Sequence, residues 1–241
     1  MHSHLLPGID DGAESLDAAL DLARFAVDNG IRKMVLTPHI HHGRWDNNQT
    51  IIDRAFEQLQ EGLIAQQIEL TIERAAEVRI APEIMVMVKS NQLPFIGEWE
   101  SFQVLLLELP HSHIPPGTDK FVQWLLKHKI KPMIAHPERN KEIMRDFNHL
   151  TPLVQLGCLF QVTAASVAGQ FGEVAQQISH QMLRQGDVTI IATDAHNLKA
   201  RPPDLDAGYR AACEIIGEEA AHQLVFEVPE KLTRQKFQQA A

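Results

Sequence analysis

Within the first forty residues the apolar positions change period. Leu16, Ala19, Leu20, Ala23 and Val27 recur in steps of three and four, which lines them up on one face of a helix. Ser15 stands where an N-cap accepts from the backbone, Asp17 falls in the first turn, and Asn29-Gly30 ends the pattern, glycine being suited to the left-handed cap position. Residues 33–37 then read as a strand cut by Pro38. Thr50 and Asp53 read as a capping box for a second helix running to about Gln66. Short β-rich runs at residues 70–74, 103–108, 132–135, 159–163 and 188–193 alternate with helical patterns such as 118–128 and 172–185. Such alternation predicts parallel β/α units. Residues 1–4 would form the end of a seventh strand. Periodicity alone fits an open doubly wound sheet and a closed barrel equally. The 241 residues suit one large α/β domain spanning residues 1–241, with 44% hydrophobic residues to fill its core.

Composition narrows the function classes. No apolar run approaches the ~18–20 residues that span a membrane. The start, Met1-His2-Ser3-His4, lacks a basic stretch followed by an apolar one. Cys158 and Cys213 are too few for a disulfide framework, so a cytoplasmic protein is expected. With 31 acidic against 22 basic residues, the net charge of −9 gives no basic face for nucleic acid.

Among 13 histidines, what matters is where they fall. His2 and His4 end the first predicted strand and His39 follows the second. Glu77 follows the third, and Glu108 closes the fourth after Val104-Leu105-Leu106-Leu107. His136 ends the fifth, and Asp194 and His196 end the seventh. Function in parallel α/β folds gathers at these strand ends. One histidine after a strand is ordinarily structural, but repetition around the sheet is not. Residues i and i+2 on a strand point the same way, so His2 and His4 can reach one ion. Asp194 and His196 repeat that spacing; His111-Ser112-His113 repeats it too, and is read as coincidence. Imidazoles and carboxylates suit zinc, manganese or iron. The ligand inventory exceeds what one ion takes, so a cluster of two or three with bridging carboxylates is expected. Glu108, closing an apolar run, would be costly to desolvate without a partner.

The motifs His2-Ser3-His4-Leu5-Leu6-Pro7-Gly8-Ile9-Asp10-Asp11-Gly12, Thr37-Pro38-His39, Ala76-Glu77, Ala135-His136-Pro137-Glu138-Arg139 and Thr193-Asp194-Ala195-His196-Asn197 resemble those of PHP-domain tyrosine phosphatases of the CpsB/CapC type. Val162-Thr163-Ala164-Ala165-Ser166, Gly169-Gln170-Phe171-Gly172 and Arg201-Pro202-Pro203 extend the resemblance. It implies a distorted (β/α)7 barrel with three divalent metal ions, manganese being usual and zinc or iron the alternatives. By that resemblance His2, His4, Glu77 and Asp194 would hold one ion. Glu77 would bridge to a second, held with Glu108 and His136, and Asp11, His39 and His196 would hold the third. Arg139 and Arg201 would grip phosphoryl oxygens, for which a guanidinium fork is suited. The implied substrate is a phosphotyrosine protein, the tyrosine-rich tail of a bacterial kinase in capsule or exopolysaccharide regulation. Water activated by the ions would attack phosphorus in line.

The first strand departs from the resembled pattern. Only Met1 precedes His2, so that strand is nearly absent, and His2 and His4 are expected to hang mainly from their C-terminal side. Residues 40–45 also form a variant loop, read as exposed. A cysteine-dependent phosphatase is excluded, because its C-x5-R loop would need Arg where Ala164 and Glu219 stand. The remaining rivals are a PHP phosphatase of a small metabolite such as histidinol phosphate, a metal amidohydrolase, and a degenerate PHP module that only binds protein. Glu108 stands where amidohydrolases commonly carry a bridging lysine.

Overall fold

The computed structural model describes residues 1–239 and has a mixed α/β architecture built on parallel strands. Helix α1 (Leu16–Asp28) begins as its sequence predicts, Ser15 accepting from the Ala18 amide. Strands β1 (Lys33–Leu36) and β2 (His39–Ile40) are two halves of one extended run, interrupted at Thr37-Pro38. Helix α2 (Gln49–Ala65) is capped by Asn48, whose side chain accepts from the Ile51 amide, and not by Thr50. Asn48 lies in extended backbone just ahead of the first turn, where a cap must stand. Strands β3 (Thr71–Arg74) and β4 (Glu77–Arg79) again split one run. Helix α3 (Glu83–Lys89) and the short antiparallel β5 (Gly97–Trp99) follow, neither marked by periodicity in the sequence.

The rest of the chain alternates more regularly. It comprises β6 (Phe102–Glu108), α4 (Thr118–Lys127), β7 (Ile130–Ala135), α5 (Lys141–Arg145), α6 (Thr151–Gln155) and β8 (Leu159–Thr163). After these come α7 (Ala164–Val167), α8 (Glu173–Gln185), β9 (Ile190–Ala192), α9 (Asp206–Ile216), α10 (Glu218–His222) and α11 (Val228–Gln239).

Parallel pairing runs β2-β4-β6-β7-β8-β9, with β1 paired to β3. The N-terminal segment joins the far ends of this path. Ser3 forms a parallel bridge with Ala195, flanked by His4 N to Ala195 O at 2.8 Å and Asp194 N to His2 O at 2.9 Å. On its other side the Thr37 amide donates to Ser3 O at 2.8 Å, and the Ser3 amide to Thr37 Oγ1 at 3.1 Å. The expectation that His2 and His4 hang from one side is therefore overturned: ladder bonds on both flanks hold them in place.

Strand β6 shows why its apolar run is continuous. Leu105 and Leu107 face the larger core under the helices, whereas Val104 and Leu106 face a second core with Val35, Met133, Leu159 and Ile190. A strand buried on both faces needs apolar residues at every position. Leu232 of α11 enters the second core, and α11 lies against β5 so closely that a Cβ on Gly97 would stand 2.1 Å from the Leu232 carbonyl oxygen.

Candidate metal centre

The strand ends gather the predicted residues into one buried cluster. His2 and His4 lie two residues apart on extended backbone and are fully buried. Each ring is held from behind, His2 Nδ1 by Gln161 Oε1 and His4 Nδ1 by Asp10 Oδ2, both at 2.7 Å. That leaves the two Nε2 atoms facing inward. They stand 3.2 and 3.3 Å from Glu77 Oε2, and 3.3 and 3.4 Å from Asp194 Oδ1. Asp10 also accepts from the amides of His39 and Gly12, at 3.0 and 2.9 Å, and so ties the first two strand ends together. Its loop requires glycine at position 12, where a Cβ would meet the His4 carbonyl oxygen at 1.9 Å. Burial opposes charge on His4, yet Asp10 outweighs it and holds the imidazole pKa well above its ordinary value.

Glu77 is the centre of the cluster. It follows β3, as expected, opens β4, and is fully buried. Its Oε1 lies 2.8 Å from His136 Nε2, and its Oε2 lies 3.1 Å from His39 Nδ1. Burial alone would raise its pKa, but His2, His39 and His136 hold it well below the carboxylate range. Glu108 is held by Arg79, Nη1 to Oε1 at 2.7 Å, with Oε2 3.8 Å from His39 Nδ1. Burial, reinforced by the Glu77 charge, pushes the Glu108 carboxyl up to about 7.

On the open side, Asp11 Oδ1 stands 3.3 Å from His39 Nε2 and 3.4 Å from His196 Nε2. Asp11 is 38% exposed, which leaves this side of the cluster accessible. Burial and the neighbouring His4 push His196 down to about 4, so its ring is neutral and its lone pair free. His136 and Asp194 adopt left-handed backbone, at φ 33° and 50°. Such conformations persist at functional sites when the surroundings over-determine them.

Three sets of ligand atoms lie within 4.8 Å of one another: His2, His4, Glu77 and Asp194; His4, Asp11, His39 and His196; and His39, Glu77 and Glu108. The third differs from the predicted set. His39 takes the place expected for His136, which joins only through Glu77. Residues that fix the cluster from outside, Asp10, Gln161 and Arg79, were not predicted. Gln161 did carry a signal, as an amide within an otherwise apolar strand. His111 and His113 lie outside these sets and are exposed.

The donor set fits metal ions. His39 Nδ1, Glu77 Oε2, Glu108 Oε2, Asp194 Oδ1 and His196 Nε2 are buried without a hydrogen-bond partner among the described residues. Each such orphan costs about 1–3 kcal/mol, and a cation at their focus satisfies several at once. Ligation by Glu108 and His4 would need both deprotonated. Manganese uptake by the metal-free protein should therefore strengthen from about pH 5.5 to about pH 8 with proton release. Calorimetry in buffers of different ionisation enthalpy reads those protons, and an affinity that is flat or falls with pH would contradict the assignment.

Two guanidinium groups border the cluster. Arg139 Nη1 lies 2.5 Å and Arg201 Nη1 3.4 Å from the same Asp194 Oδ2, and Arg201 Nη2 lies 3.7 Å from Asp11 Oδ2. Their side chains are 21% and 23% exposed. Each retains donors for an anion arriving from the open side.

Fold and site together define an α/β protein whose parallel strand ends converge on a buried imidazole–carboxylate cluster able to hold metal ions. The chain belongs to the capsular polysaccharide synthesis family CpsB/CapC, whose model matches residues 1–234. It is 34% identical over 201 residues to tyrosine-protein phosphatase YwqE of Bacillus subtilis, covering 83% of this chain and 78% of that one. It is 32% identical over 202 residues to the CapC phosphatase of Staphylococcus aureus, named there as putative, covering 84% and 78%. A crystal structure from work on YwqE of Bacillus subtilis and CpsB of Streptococcus pneumoniae, described as unique metal-dependent tyrosine phosphatases, superposes with TM-score 0.90. It is 32% identical and the match covers 98% of this chain and 94% of that one.

Proposed function

We propose that this chain is a metal-dependent phosphomonoesterase that hydrolyses phosphotyrosine on a protein, in the regulation of capsule or exopolysaccharide synthesis. The observation that carries this is the convergence of orphaned ligand atoms and two arginines on Asp194. Phosphoryl oxygens carry negative charge through the transition state, and metal ions and guanidinium groups both stabilise it. The similarity to enzymes named tyrosine-protein phosphatases supports the substrate class. A tyrosine-bearing kinase tail is the partner this reading favours.

His2, His4, Asp11, His39, Glu77, Glu108, His136, Asp194 and His196 would hold three divalent ions, manganese being favoured. Bound ions would supply positive charge to the phosphoryl oxygens and acidify a water nucleophile. The chain's own groups do the rest. Arg139 and Arg201 bind phosphoryl oxygens through paired N–H donors. Asp10 and Gln161 accept from the outer Nδ1–H of His4 and His2, so that each Nε2 lone pair stays directed inward. A phenol leaving group has pKa about 10, so departure needs no strong acid from the protein. Residues 1–241 are read as one phosphoesterase domain in a closed (β/α)7 barrel. The backbone bonds that tie residues 2–4 to Thr37 on one side and to Asp194 and Ala195 on the other, and the second core enclosed by inward-facing residues, support that reading.

Assay of a phosphotyrosine peptide against histidinol phosphate and other small esters, with and without added manganese, tests the proposal. Metal-dependent turnover should favour the peptide. A preference for small esters would transfer the activity to metabolites, and bound metal without hydrolysis would make the chain a binding module.

Thiol chemistry should be dispensable. Burial pushes the Cys158 thiol up to about 12, and Cys213 is half-buried in α9. A thiol rather than thiolate is a poor nucleophile. Alkylation should leave turnover largely intact; stoichiometric inactivation with metals retained would point to covalent catalysis.

A further inference from the structure

Residues 41–45 form a tight turn in which the His41 amide donates to Trp45 O at 3.0 Å and the Trp45 amide to His41 O at 2.8 Å. The turn folds back over the cluster. The Trp45 indole lies flat on the His39 imidazole, with ring centroids 4.6 Å apart and planes 7° from parallel. The Arg44 guanidinium lies over the same indole at 4.0 Å. Asn47 Nδ2 donates to His39 O at 2.8 Å and to Ile9 O at 2.9 Å, pinning the turn's return to the backbone beneath it.

His39 differs from the other imidazoles of the cluster. It is the only histidine shared between the set containing Asp11 and the set containing Glu108. Both its nitrogens face carboxylates, Nε2 towards Asp11 at 3.3 Å and Nδ1 towards Glu77 at 3.1 Å. An imidazole ligand ordinarily has its second nitrogen tied to an outer partner, which sets the ring's orientation. Gln161 and Asp10 do this for His2 and His4. With both nitrogens directed into the cluster, His39 has none left for an outer bond, and its support from outside the cluster comes through contact with its face.

The geometry points to Trp45 as a positioning residue for the metal centre, holding the His39 imidazole by stacking where His2 and His4 are held by hydrogen bonds. This rests on the reading of the cluster as a metal site. A flat aromatic face prevents the ring from tilting out of the plane that contains both nitrogens and their carboxylate partners. Leucine at position 45 keeps apolar bulk but loses the flat face, whereas phenylalanine keeps it.

Manganese binding to the full chain, measured by equilibrium dialysis, separates the possibilities. Trp45→Leu should weaken one class of sites by about 10–100-fold, the range for removing an outer support of a ligand. Trp45→Phe should bring binding back to within about threefold of the unsubstituted protein, since stacked aromatic contacts survive that change. A Trp99→Phe, Trp124→Phe double variant leaves Trp45 as the sole indole. Its emission should be quenched by manganese along the same isotherm as binding, and this arm does not depend on Trp45→Leu folding. Equal affinity in Trp45→Leu, equal weakening in Trp45→Phe, or sole-Trp45 emission indifferent to bound manganese would each overturn the inference. An unsubstituted chain that binds no manganese would instead remove the metal-centre reading, and this inference with it.

Discussion

Glu77→Gln should empty most of the cluster and reduce turnover by at least about a thousandfold. Glu77 is fully buried and belongs to two of the three ligand sets. Its Oε2 lies within 3.3 Å of nitrogens from His2, His4 and His39, and its Oε1 receives His136 at 2.8 Å. Glutamine matches the shape but replaces one oxygen with an NH2 group, which cannot ligate a cation, and removes the charge that those imidazoles surround. An ion contributes several kcal/mol to stabilising a phosphoryl transition state. At 1.36 kcal/mol per tenfold, losing about 4 kcal/mol gives the stated factor. The metal-free variant should still fold, because Glu77 makes its backbone bonds regardless of side chain. Metal quantification beside single-turnover kinetics checks the result. Full metal content with a near-native rate would show that Glu77 is not the bridge.

Much of this cluster was legible because the parallel fold makes strand ends easy to find. A β-rich run followed by His, Glu or Asp is a local signal, and it recurred at His39, Glu108, His136 and Asp194. What escaped was set by contacts between distant segments. Pairing through Thr37 and Ala195 on both sides of Ser3 depends on residues about 34 and 192 positions away, and nothing within residues 1–4 announces it. The same holds for Asp10 behind His4 and Arg79 on Glu108. Glu77 also follows its strand, β3, although Ala75-Ala76 stands between the strand's end and the point where β4 resumes the run. Thr50, with an acidic residue three positions on, mimics a capping box, so the cap at Asn48 does not stand out in the sequence. The segments of α3 and β5 lack clean periodicity: Val86 of α3 is exposed, and β5 owes its place to Gly97 under α11. Residues 40–45 were read as an exposed loop. His42, Gly43 and Arg44 are exposed, but Trp45 turns back onto His39, a contact that only the folded turn creates.

Arg139→Ala and Arg201→Ala should each lower kcat/KM by roughly 1.5–3 kcal/mol, about 10–150-fold, while leaving the bound metal in place. The two side chains arrive from different segments, one in the turn after β7 and the other ahead of α9, yet meet at one Asp194 oxygen. Burial opposes charge on Arg139, but Asp194 more than compensates and keeps the guanidinium protonated. Its plane also rests over the Phe171 ring at 4.8 Å, which limits how far it can swing. A guanidinium so fixed presents paired donors to a phosphoryl group with little ordering left to do. Lysine in its place offers a point charge without the fork, so Arg139→Lys should recover only part of the loss. Because donors fixed for the flattened transferring phosphoryl group match its equatorial oxygens better than those of the ground state, the loss should fall on kcat as well as KM. Arg201 is held less tightly, at 3.4 Å from Asp194 and 3.7 Å from Asp11, and lies beside the exposed Asp11 edge. Its removal should therefore raise KM more than that of Arg139. Steady-state kinetics with a phosphotyrosine peptide, alongside metal quantification, distinguish these outcomes. Unchanged kinetics in both variants would reduce the two arginines to salt-bridge partners of Asp194, and metal loss in either would make it part of the ion site's support instead.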